Sequence, residues 1–337
     1  MLCSVIVPAR DAGKTIGECV LAVLSQSLPS ADYELIVVDD GSTDRTVAIA
    51  RKLGARVIGR SRQSTAAARN AGVRAARADL VVFLDADCLP KLDWLAQMIH
   101  PFDDSRVVGV QGAYASDQKG LMPRLIQADC EETYRHLESY ASTDVVRGFS
   151  AAFRRSILVD LDGFDSSFLV GDDVELSYRL AKSGRRLVFN PRARVYHNHG
   201  ASVGRYFERG LRDGLWRSMI DARHPDKAAG DSQTSPSLQA EISLAGLTFA
   251  SLVLGTRWRR FLPVAGVFAA LFTSVVAPSA WRSRKSGPEV LLTIPGFRFV
   301  RGLALGSGMA IGKGTLVSHR LIGGLSRFAR FFRRGGS

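Results

Sequence analysis

The stretch VVFLDADC, residues 81–88, joins an apolar run to two aspartates one residue apart. A run without polar residues predicts a strand buried on both faces, as in a parallel sheet. The runs CSVIVP at 3–8 and ELIVVDD at 34–40 have the same character. Helical patterns fill 15–25 and 42–53, the second opening on the cap-like Ser-Thr-Asp. Strands and helices alternating in this way predict βαβ units, and therefore an α/β fold with a doubly wound, mostly parallel sheet.

Acidic residues follow two of these strands where each strand ends. Asp39 and Asp40 close one, and Asp85 and Asp87 close another. Aspartate is an ordinary turn former, so a plain turn is the alternative. In a parallel sheet, however, ligands bind beyond the carboxyl ends of the strands. Two carboxylates one residue apart can also share Mg²⁺ or Mn²⁺, leaving other ligand positions to water and diphosphate oxygens.

Two nucleotide-binding motifs are excluded by the sequence near the first strand. Gly13, Lys14 and Thr15 resemble the end of a Walker motif, but that motif needs a glycine where the chain has Pro8. The first predicted helix also lacks the GxGxxG of a dinucleotide-binding fold. The carboxylates therefore remain the main chemical signal.

The middle of the chain offers further signals. RGFSAAFRRSIL at 147–158 predicts a mobile glycine followed by an amphipathic helix. GDDVELSYRLAKSG at 171–184 predicts a helix from Val174 that ends at a capping Gly184. Asp173 lies at the start of this helix, on a separate element from the strand-end aspartates, and is a candidate general base.

Charge is distributed unevenly along the 337 residues, which carry a formal net charge of +13. Residues 282–337 hold eleven Lys and Arg residues against one acidic residue, Glu289, and so account for +10 of this excess. A basic surface for nucleic acid would lie on a folded face, whereas this excess lies in an apolar, glycine-rich tail. We therefore expect no nucleic-acid partner and a membrane-lipid surface instead.

Apolar segments follow the linker-like stretch near residue 230. Uncharged runs at 242–256 and 261–281 are candidates to cross a bilayer. If both cross, the arginines of 257–260 lie on the far side, against the positive-inside tendency, so a shallow hairpin is the alternative. Residues 290–312, which contain Arg298 and Arg301, predict an interfacial helix, and 327–334 a basic anchor.

These changes in composition predict a domain order along the chain. The predicted parts are a catalytic domain at 1–227, a linker at 228–240, a membrane hairpin at 241–283, and an interfacial helix with a basic tail at 284–337. The four cysteines form no CxxC pair, which indicates a reducing compartment. The opening MLCSVIVPAR shows no signal-peptide pattern, so we expect the N-terminal domain to stay in the cytosol.

Five motifs together resemble a known family. SVIVPARD with VVDDGSTDRT, AARNAG, FLDADC, GFD and GDDVELSYRL, in this order, are similar to the family 2 glycosyltransferases. The resemblance covers roughly residues 1–200, and the apolar tail suggests a membrane-associated bacterial type. It implies the GT-A fold, an inverting reaction, a nucleotide-diphosphate sugar donor and a divalent metal ion.

The resemblance also implies a role for individual positions. The donor-binding positions are Pro8 and Ala9 in the nucleotide pocket, Asp40 at the base, Arg69 at the nucleotide and Asp85 at the ribose and diphosphate, while Asp87 binds the metal and Asp173 is the catalytic base. The family usually has Glu before the catalytic Asp, and here Asp172 takes that place, which affects how the acceptor is held. His197 and His199 lie where some members have a histidine near the metal or acceptor; a site role and loop packing both remain open.

The sequence thus predicts sugar transfer to a hydroxyl acceptor, either a lipid-linked or a cell-envelope glycan, at the cytoplasmic membrane face. A sugar-phosphate nucleotidyltransferase would share the fold and the metal but would not need Asp173. A non-catalytic membrane scaffold is the third hypothesis. The identity of the leaving product separates the two enzyme classes.

Overall fold

The computed structural model describes residues 1–322, with side chains up to residue 316. These residues form two compact units. The sheet unit contains residues 1–202, 230–236 and 279–294, and the helical unit contains 203–229, 237–278 and the described residues from 295 onward. The predicted basic anchor at 327–334 lies outside the described residues.

Strands and helices alternate through most of the sheet unit. The strands are β1 Cys3–Ala9, β2 Tyr33–Asp39, β3 Arg56–Gly59, β4 Leu80–Leu84, β5 Cys88–Pro90, β6 Val107–Ala115, β7 Ser150–Arg154 and β8 Arg186–His197. The helices are α1 Ile16–Leu24, α2 Thr46–Lys52, α3 Thr65–Ala75, α4 Trp94–Ile99, α5 Leu121–Glu138, α6 Arg155–Asp160, α7 Asp172–Lys182, α8 Val203–Arg223, α9 Pro236–Arg257, α10 Phe261–Arg282 and α11 Pro288–Ile322.

The strands form one mixed sheet in the order β3-β2-β1-β4-β7-β6-β8-β5. β3, β2, β1 and β4 are parallel to one another, β7 is antiparallel to both of its neighbours, and β8 is parallel to β6. The predicted α/β fold class is confirmed. Because β1, β2 and β4 run in the same direction, their carboxyl ends meet at one edge of the sheet.

Both faces of the sheet are covered, which explains the continuous apolar runs. Along β1, Val5 and Val7 belong to one buried cluster, whereas Ile6 belongs to the cluster on the opposite face. Successive side chains of a strand point to opposite faces, so a doubly covered strand needs an apolar residue at every position. Phe83 of β4 packs edge-on against Phe164 at 5.3 Å on the second face.

The predicted helix at 42–53 begins later than the sequence suggested. α2 starts at Thr46, and the Ser-Thr-Asp segment before it is a loop. The side chain of Asp44 accepts hydrogen bonds from the backbone N–H of Thr46 at 2.9 Å and of Gly13 at 2.8 Å. Asp44 therefore ties the loop after β2 to the loop after β1, an interaction between distant residues that local cap patterns do not reveal.

The prediction of a helix through 147–158 was wrong for its first half. Residues 150–154 form β7, and only Arg155–Asp160 are helical, as α6. β7 lies between β4 and β6, where every residue from Ser150 to Phe153 is buried. Pairing with two distant strands overrides the local helical pattern here.

The helical unit contains long apolar helices. Within the described residues, three segments are long and apolar enough to cross a membrane: Pro236–Arg257, Phe261–Ser286 and Pro288–Leu316. The first two overlap the predicted apolar runs. The third includes the segment predicted as an interfacial helix, and it belongs to one continuous helix, α11.

Three charged side chains inside these apolar helices pair with one another. Glu241 of α9 is fully buried and accepts hydrogen bonds from Arg298 Nη1 at 2.9 Å and from Arg301 Nη2 at 2.5 Å, both on α11. An unpaired charge among apolar helices would be costly, and pairing removes most of that cost. The two arginines therefore contribute to helix packing, which the sequence pattern had not indicated.

Close approach of α8 and α11 depends on glycine. A Cβ atom at Gly308 would lie only 2.9 Å from backbone atoms of Leu211 and Leu215 on α8, and backbone cannot move aside. Among the described residues, none comes within 4 Å of a Cβ placed at Gly314 of the same helix. Gly308 is therefore closely packed against α8, whereas the space beside Gly314 is open, so the two glycines form a matched pair for substitution.

We expect Gly308→Ala to lower the free energy of unfolding by about 1–3 kcal/mol through overpacking. Gly314→Ala should leave it unchanged or raise it by up to about 1 kcal/mol, because alanine is the better helix former. Denaturant unfolding of the full chain in detergent measures both values. Equal effects of the two substitutions would contradict the packing described above.

Candidate active site

The ends of β1 and β2 bring three of the predicted donor-binding residues together. Pro8 and Ala9 are the last residues of β1, and the N–H of Asp40 donates to the carbonyl oxygen of Ala9 at 2.9 Å. The carboxylate of Asp40 is buried, accepts from the Gln63 N–H at 3.0 Å and lies 3.3 Å from Arg60 Nη1. Burial raises the pKa of Asp40 above its ordinary value, although the Gln63 bond and Arg60 oppose this.

Asp85 and Asp87 follow β4 in a turn, and their environments differ. The side chain of Asp85 is 37% exposed and that of Asp87 is 55% exposed. Burial raises the pKa of Asp85; Arg69 opposes the rise, whereas Asp87 and Asp173 add to it. The contact with His197 lowers the pKa of Asp87, so Asp87 is the more readily ionised of the two.

Arg69 of α3 lies beneath this edge and connects two groups of carboxylates. Its Nη1 donates to Asp172 Oδ2 at 2.7 Å, and its Nη2 lies 3.6 Å from Asp85 Oδ1. Its guanidinium also packs 5.5 Å from the ring centre of Phe164. Burial alone would lower the pKa of Arg69, but Asp172 and Asp85 raise it above the ordinary value, so the residue is cationic.

The space for this guanidinium requires a glycine at position 148. A Cβ atom there would lie 2.6 Å from Arg69 Nη2. The N–H of Gly148 donates to Asp173 Oδ2 at 2.7 Å. The glycine that the sequence suggested as mobile thus contacts both the buried cation and the candidate base.

α7 places Asp172 and Asp173 in different surroundings. The helix begins at Asp172 rather than at the predicted Val174, and Gly171 before it has φ +80°. Asp172 turns inward to Arg69 and is buried, and this burial raises its pKa, although Arg69 opposes the rise. Asp173 is partly exposed, and its Oδ1 accepts from the Val174 N–H at 2.8 Å. The pairing of Asp172 with Arg69 offsets the like-charge repulsion between the two aspartates.

A chain of imidazoles reaches Asp87 from β8. Cys88 and His197 are paired residues of β5 and β8, so His197 lies beside Asp87, with Nε2 3.5 Å from Asp87 Oδ2. His197 Nδ1 lies 3.1 Å from His199 Nδ1. His199 Nε2 lies 2.9 Å from Gln127 Oε1. The sequence had marked both histidines without a decided role, but nothing local to it pointed to Gln127.

The donor atoms at this edge suit a hard or borderline divalent cation. The carboxylate oxygens of Asp85 and Asp87 are ligand types of Mg²⁺ and Mn²⁺, whereas an imidazole nitrogen such as that of His197 is more typical of Zn²⁺, Cu²⁺ or iron. Within the described residues, no group of three or more His, Cys, Asp or Glu side chains is arranged to hold a metal ion. A cation at Asp87 would therefore take further ligands from substrate or water, as Mg²⁺ commonly does.

A cavity of about 480 Å³ in the sheet unit borders this network. Gln118 and Gln127, which both bond to His199, are among its lining residues, together with Lys119 and Arg124. The lining includes none of the predicted donor-binding residues. The cavity therefore lies on the histidine side of the carboxylate edge.

Comparison with known proteins identifies similar sequences and a similar fold. Residues 4–161 match the family model described as Glycosyl transferase family 2. Glycosyltransferase AglE of Haloferax volcanii is 29% identical over 55% of this chain and 63% of its own length. Pre-mycofactocin glycosyltransferase of Mycobacterium tuberculosis is 28% identical over 67% of this chain and 49% of its own length. The chain thus matches between about half and two thirds of the length of these curated relatives.

A solved structure shares the fold over most of the chain. Mannosyltransferase PcManGT from Pyrobaculum calidifontis, in complex with GDP-Man and Mn²⁺, superposes with a TM-score of 0.60 and 24% identity. The match covers 90% of this chain and 86% of that protein. At this identity the likeness concerns the fold.

We expect Arg69→Met to lower the free energy of unfolding by about 3–5 kcal/mol, because Asp172 would remain buried without its cation. Arg106 forms an exposed pair with Asp104, and its side chain is 76% exposed. Arg106→Met should therefore cost no more than about 1 kcal/mol. Denaturant unfolding of the full chain compares the two variants. An equal, small effect of both would show that Arg69 does not stabilise the site.

Proposed function

We propose that the protein transfers a sugar from a nucleotide-diphosphate sugar to a hydroxyl acceptor, because residues 4–161 match the glycosyl transferase family 2 model and the fold is GT-A like. The observation that carries the proposal is the meeting of Asp85, Asp87 and Asp173 at one sheet edge, organised by the buried Arg69. Gly148, which lies against Arg69 and donates its N–H to Asp173 Oδ2 at 2.7 Å, links this cation to Asp173. Asp40, Pro8 and Ala9 would hold the nucleotide at the neighbouring strand ends.

In the proposed reaction, Asp173 is the general base. Its carboxylate takes the proton of the acceptor hydroxyl while that oxygen attacks the anomeric carbon of the donor. The new carbon–oxygen bond forms as the bond to the diphosphate breaks, so a single displacement inverts the anomeric configuration. The hydrogen bond from the Gly148 N–H supports this role, because it fixes the direction of the carboxylate.

Asp87, with Asp85 beside it, would hold a divalent cation, Mg²⁺ or Mn²⁺. Bound there, the cation would stabilise negative charge on the departing nucleoside diphosphate. The exposed, readily ionised carboxylate of Asp87 supports this assignment. The structurally similar PcManGT, solved in complex with Mn²⁺, supports it as well.

Asp172 would act indirectly. Its carboxylate is paired with Arg69, which also lies near Asp85. The start of α7 and the turn after β4 therefore share one buried cation. Arg69 would therefore support the nucleotide site by positioning Asp85, in addition to any contact with the donor. Because Arg69 binds both aspartates, it also fixes the position of the start of α7 relative to the end of β4.

The apolar helices support a membrane location. We propose that they attach the protein to the cytoplasmic membrane, where the acceptor would be a lipid-linked or cell-envelope glycan. Arg282, Arg284 and Lys285 lie at the C-terminal end of the second candidate span, before the third begins at Pro288, and belong to the sheet unit. Basic residues next to membrane spans favour the cytoplasmic side, which supports a sheet unit facing the cytosol and its nucleotide sugars.

We expect Asp173→Asn to reduce turnover by about 10²–10⁴-fold, the usual contribution of a general base, with unchanged affinity for the donor. Release of nucleoside diphosphate measures turnover, and calorimetry measures donor binding. Asp160→Asn, an exposed aspartate of α6, is the control and should retain full turnover. Full turnover by Asp173→Asn would show that another group is the base.

We expect the full chain to remain in the membrane pellet after an alkaline carbonate wash. Val267→Lys with Leu271→Lys, both exposed on α10, should reduce this retention, because each lysine costs about 2.5–3.5 kcal/mol at the centre of a span. Leu92→Lys with Val159→Lys, exposed in the sheet unit, is the matched control. Release of the wild-type chain by carbonate, or equal retention of both variants, would count against the anchor.

A further inference from the structure

Residues 231–234, which lie in the predicted linker, are bound to the sheet unit by side-chain hydrogen bonds. Asp231 Oδ2 accepts from the hydroxyl group of Tyr178, on α7, at 2.5 Å. Ser232 bonds to Asp144 twice: its N–H donates to Asp144 Oδ1 at 2.8 Å, and its Oγ accepts from the Asp144 N–H at 3.1 Å. All of these residues belong to the sheet unit. The 231–234 segment therefore contacts both α7 and the loop that precedes β7.

The amide side chains of Gln111 and Gln233 have one orientation that satisfies their neighbours. The Arg147 N–H can only donate, so the atom of Gln111 that lies 2.9 Å from it must be the amide oxygen. Gln233 approaches the same oxygen at 2.8 Å and must therefore present its amino group. That amino group also lies 3.5 Å from the carbonyl oxygen of Val145, which can only accept. Gln233 is thus a donor at a position where an acceptor would be repelled.

Gln111 holds the backbone that contacts the candidate base. It is only 1% exposed on β6, and its oxygen accepts from the Arg147 N–H. The next N–H along the chain, that of Gly148, donates to Asp173 Oδ2 at 2.7 Å. Because Gln233 donates to the same oxygen of Gln111, it holds that side chain in place. The direction of the Asp173 carboxylate therefore depends on this set of bonds.

A second set of bonds reaches Asp173 through α7. Ser177 Oγ accepts from the Val146 N–H at 2.9 Å and donates to the carbonyl oxygen of Asp173 at 2.6 Å. Tyr178, the next residue, is fully buried and donates to Asp231. The carboxylate of Asp173 and its backbone are thus both linked to the same segment of the chain.

We propose that Gln233 and Asp231 are positioning residues for Asp173, and that they act through the loop before β7 and through α7. The inference rests on the proposed function, in which Asp173 takes the proton of the acceptor hydroxyl. It deepens that function by naming the residues that keep the base pointed at this proton. Displacement of a reacting group by about 1 Å can lower the rate by about 10²-fold, so small shifts of these bonds matter.

Substitutions of similar size test the donor role of Gln233. Gln233→Glu places a carboxylate oxygen against the Gln111 oxygen, and the two acceptors repel. We expect the turnover number to fall by about tenfold to 10²-fold, with unchanged donor affinity by calorimetry. Gln233→Met removes the donor without adding repulsion and should have a smaller effect. Gln97→Glu, at a glutamine of α4 whose side chain lies 3.5 Å from Asp93, is the control and should retain full turnover.

A matched pair of tyrosines tests the route through α7. Tyr178→Phe removes the bond to Asp231 and should lower the turnover number by about twofold to tenfold, the range of one hydrogen bond. Tyr140→Phe, at a tyrosine that is 47% exposed, should leave it unchanged. All turnover is measured on the full chain in detergent, as nucleoside diphosphate released per folded molecule. The assay contains Mn²⁺, water as the acceptor and the UDP- or GDP-sugar that the wild type uses fastest.

A double-variant cycle shows whether Gln233 acts through Asp173. Asp173→Asn removes the base, so the further change Gln233→Glu should alter the residual turnover by less than about twofold. Losses that multiply in the double variant would show that Gln233 acts on another step and would overturn the inference.

The remaining outcomes separate this inference from the proposed function. Full turnover by Gln233→Glu, beside an active wild type, would overturn the inference and leave the proposed function intact. Lower stability with unchanged turnover per folded molecule would do the same, because it would show a structural role alone. Gln233→Met and Tyr178→Phe decide the question if the carboxylate prevents folding. Absence of nucleoside diphosphate release by the wild type with every sugar of the panel would contradict the proposed function, and the inference with it.

Discussion

Arg69 donates to Asp172 at 2.7 Å inside the sheet unit and lies 3.6 Å from Asp85, and the rest of the candidate site depends on this buried cation. Asp85 follows β4, whereas Asp172 and Asp173 begin α7, so two negatively charged elements meet at one edge. Without a buried positive charge between them, repulsion and desolvation would oppose their approach. Gly148 leaves room for the guanidinium and holds Asp173, which links the cation to the proposed base.

Much of the fold could be predicted because its signals are local. The apolar runs of β1, β2 and β4 require burial on both faces, and the aspartates that end β2 and β4 must then meet at one edge. The predictions that were wrong concern contacts between distant residues. β7 is a strand because β4 and β6 flank it, and α2 starts late because Asp44 bonds to Gly13.

The sequence predicted some residues of the candidate site and missed others. Family resemblance named Asp85, Asp87, Asp173 and Arg69, and the structure brings them together, while their chemical roles remain proposals. Gln127 could not be found from the sequence, because its contact with His199 joins α5 to the segment after β8. In the helical unit, the sequence suggested that Arg298 faces a membrane surface. Its buried pairing with Glu241 was missed because the two residues are 57 positions apart along the chain.

The anomeric configuration of the released sugar distinguishes inverting sugar transfer from the other reactions that this fold supports. The full chain is incubated with a panel of nucleotide sugars and Mn²⁺, with water as the acceptor, and the first sugar released is observed by proton NMR before it mutarotates. An inverting transferase should release a nucleoside diphosphate and a sugar of inverted configuration from one donor of the panel. Retained configuration, or release of pyrophosphate in place of the nucleoside diphosphate, would contradict inverting transfer.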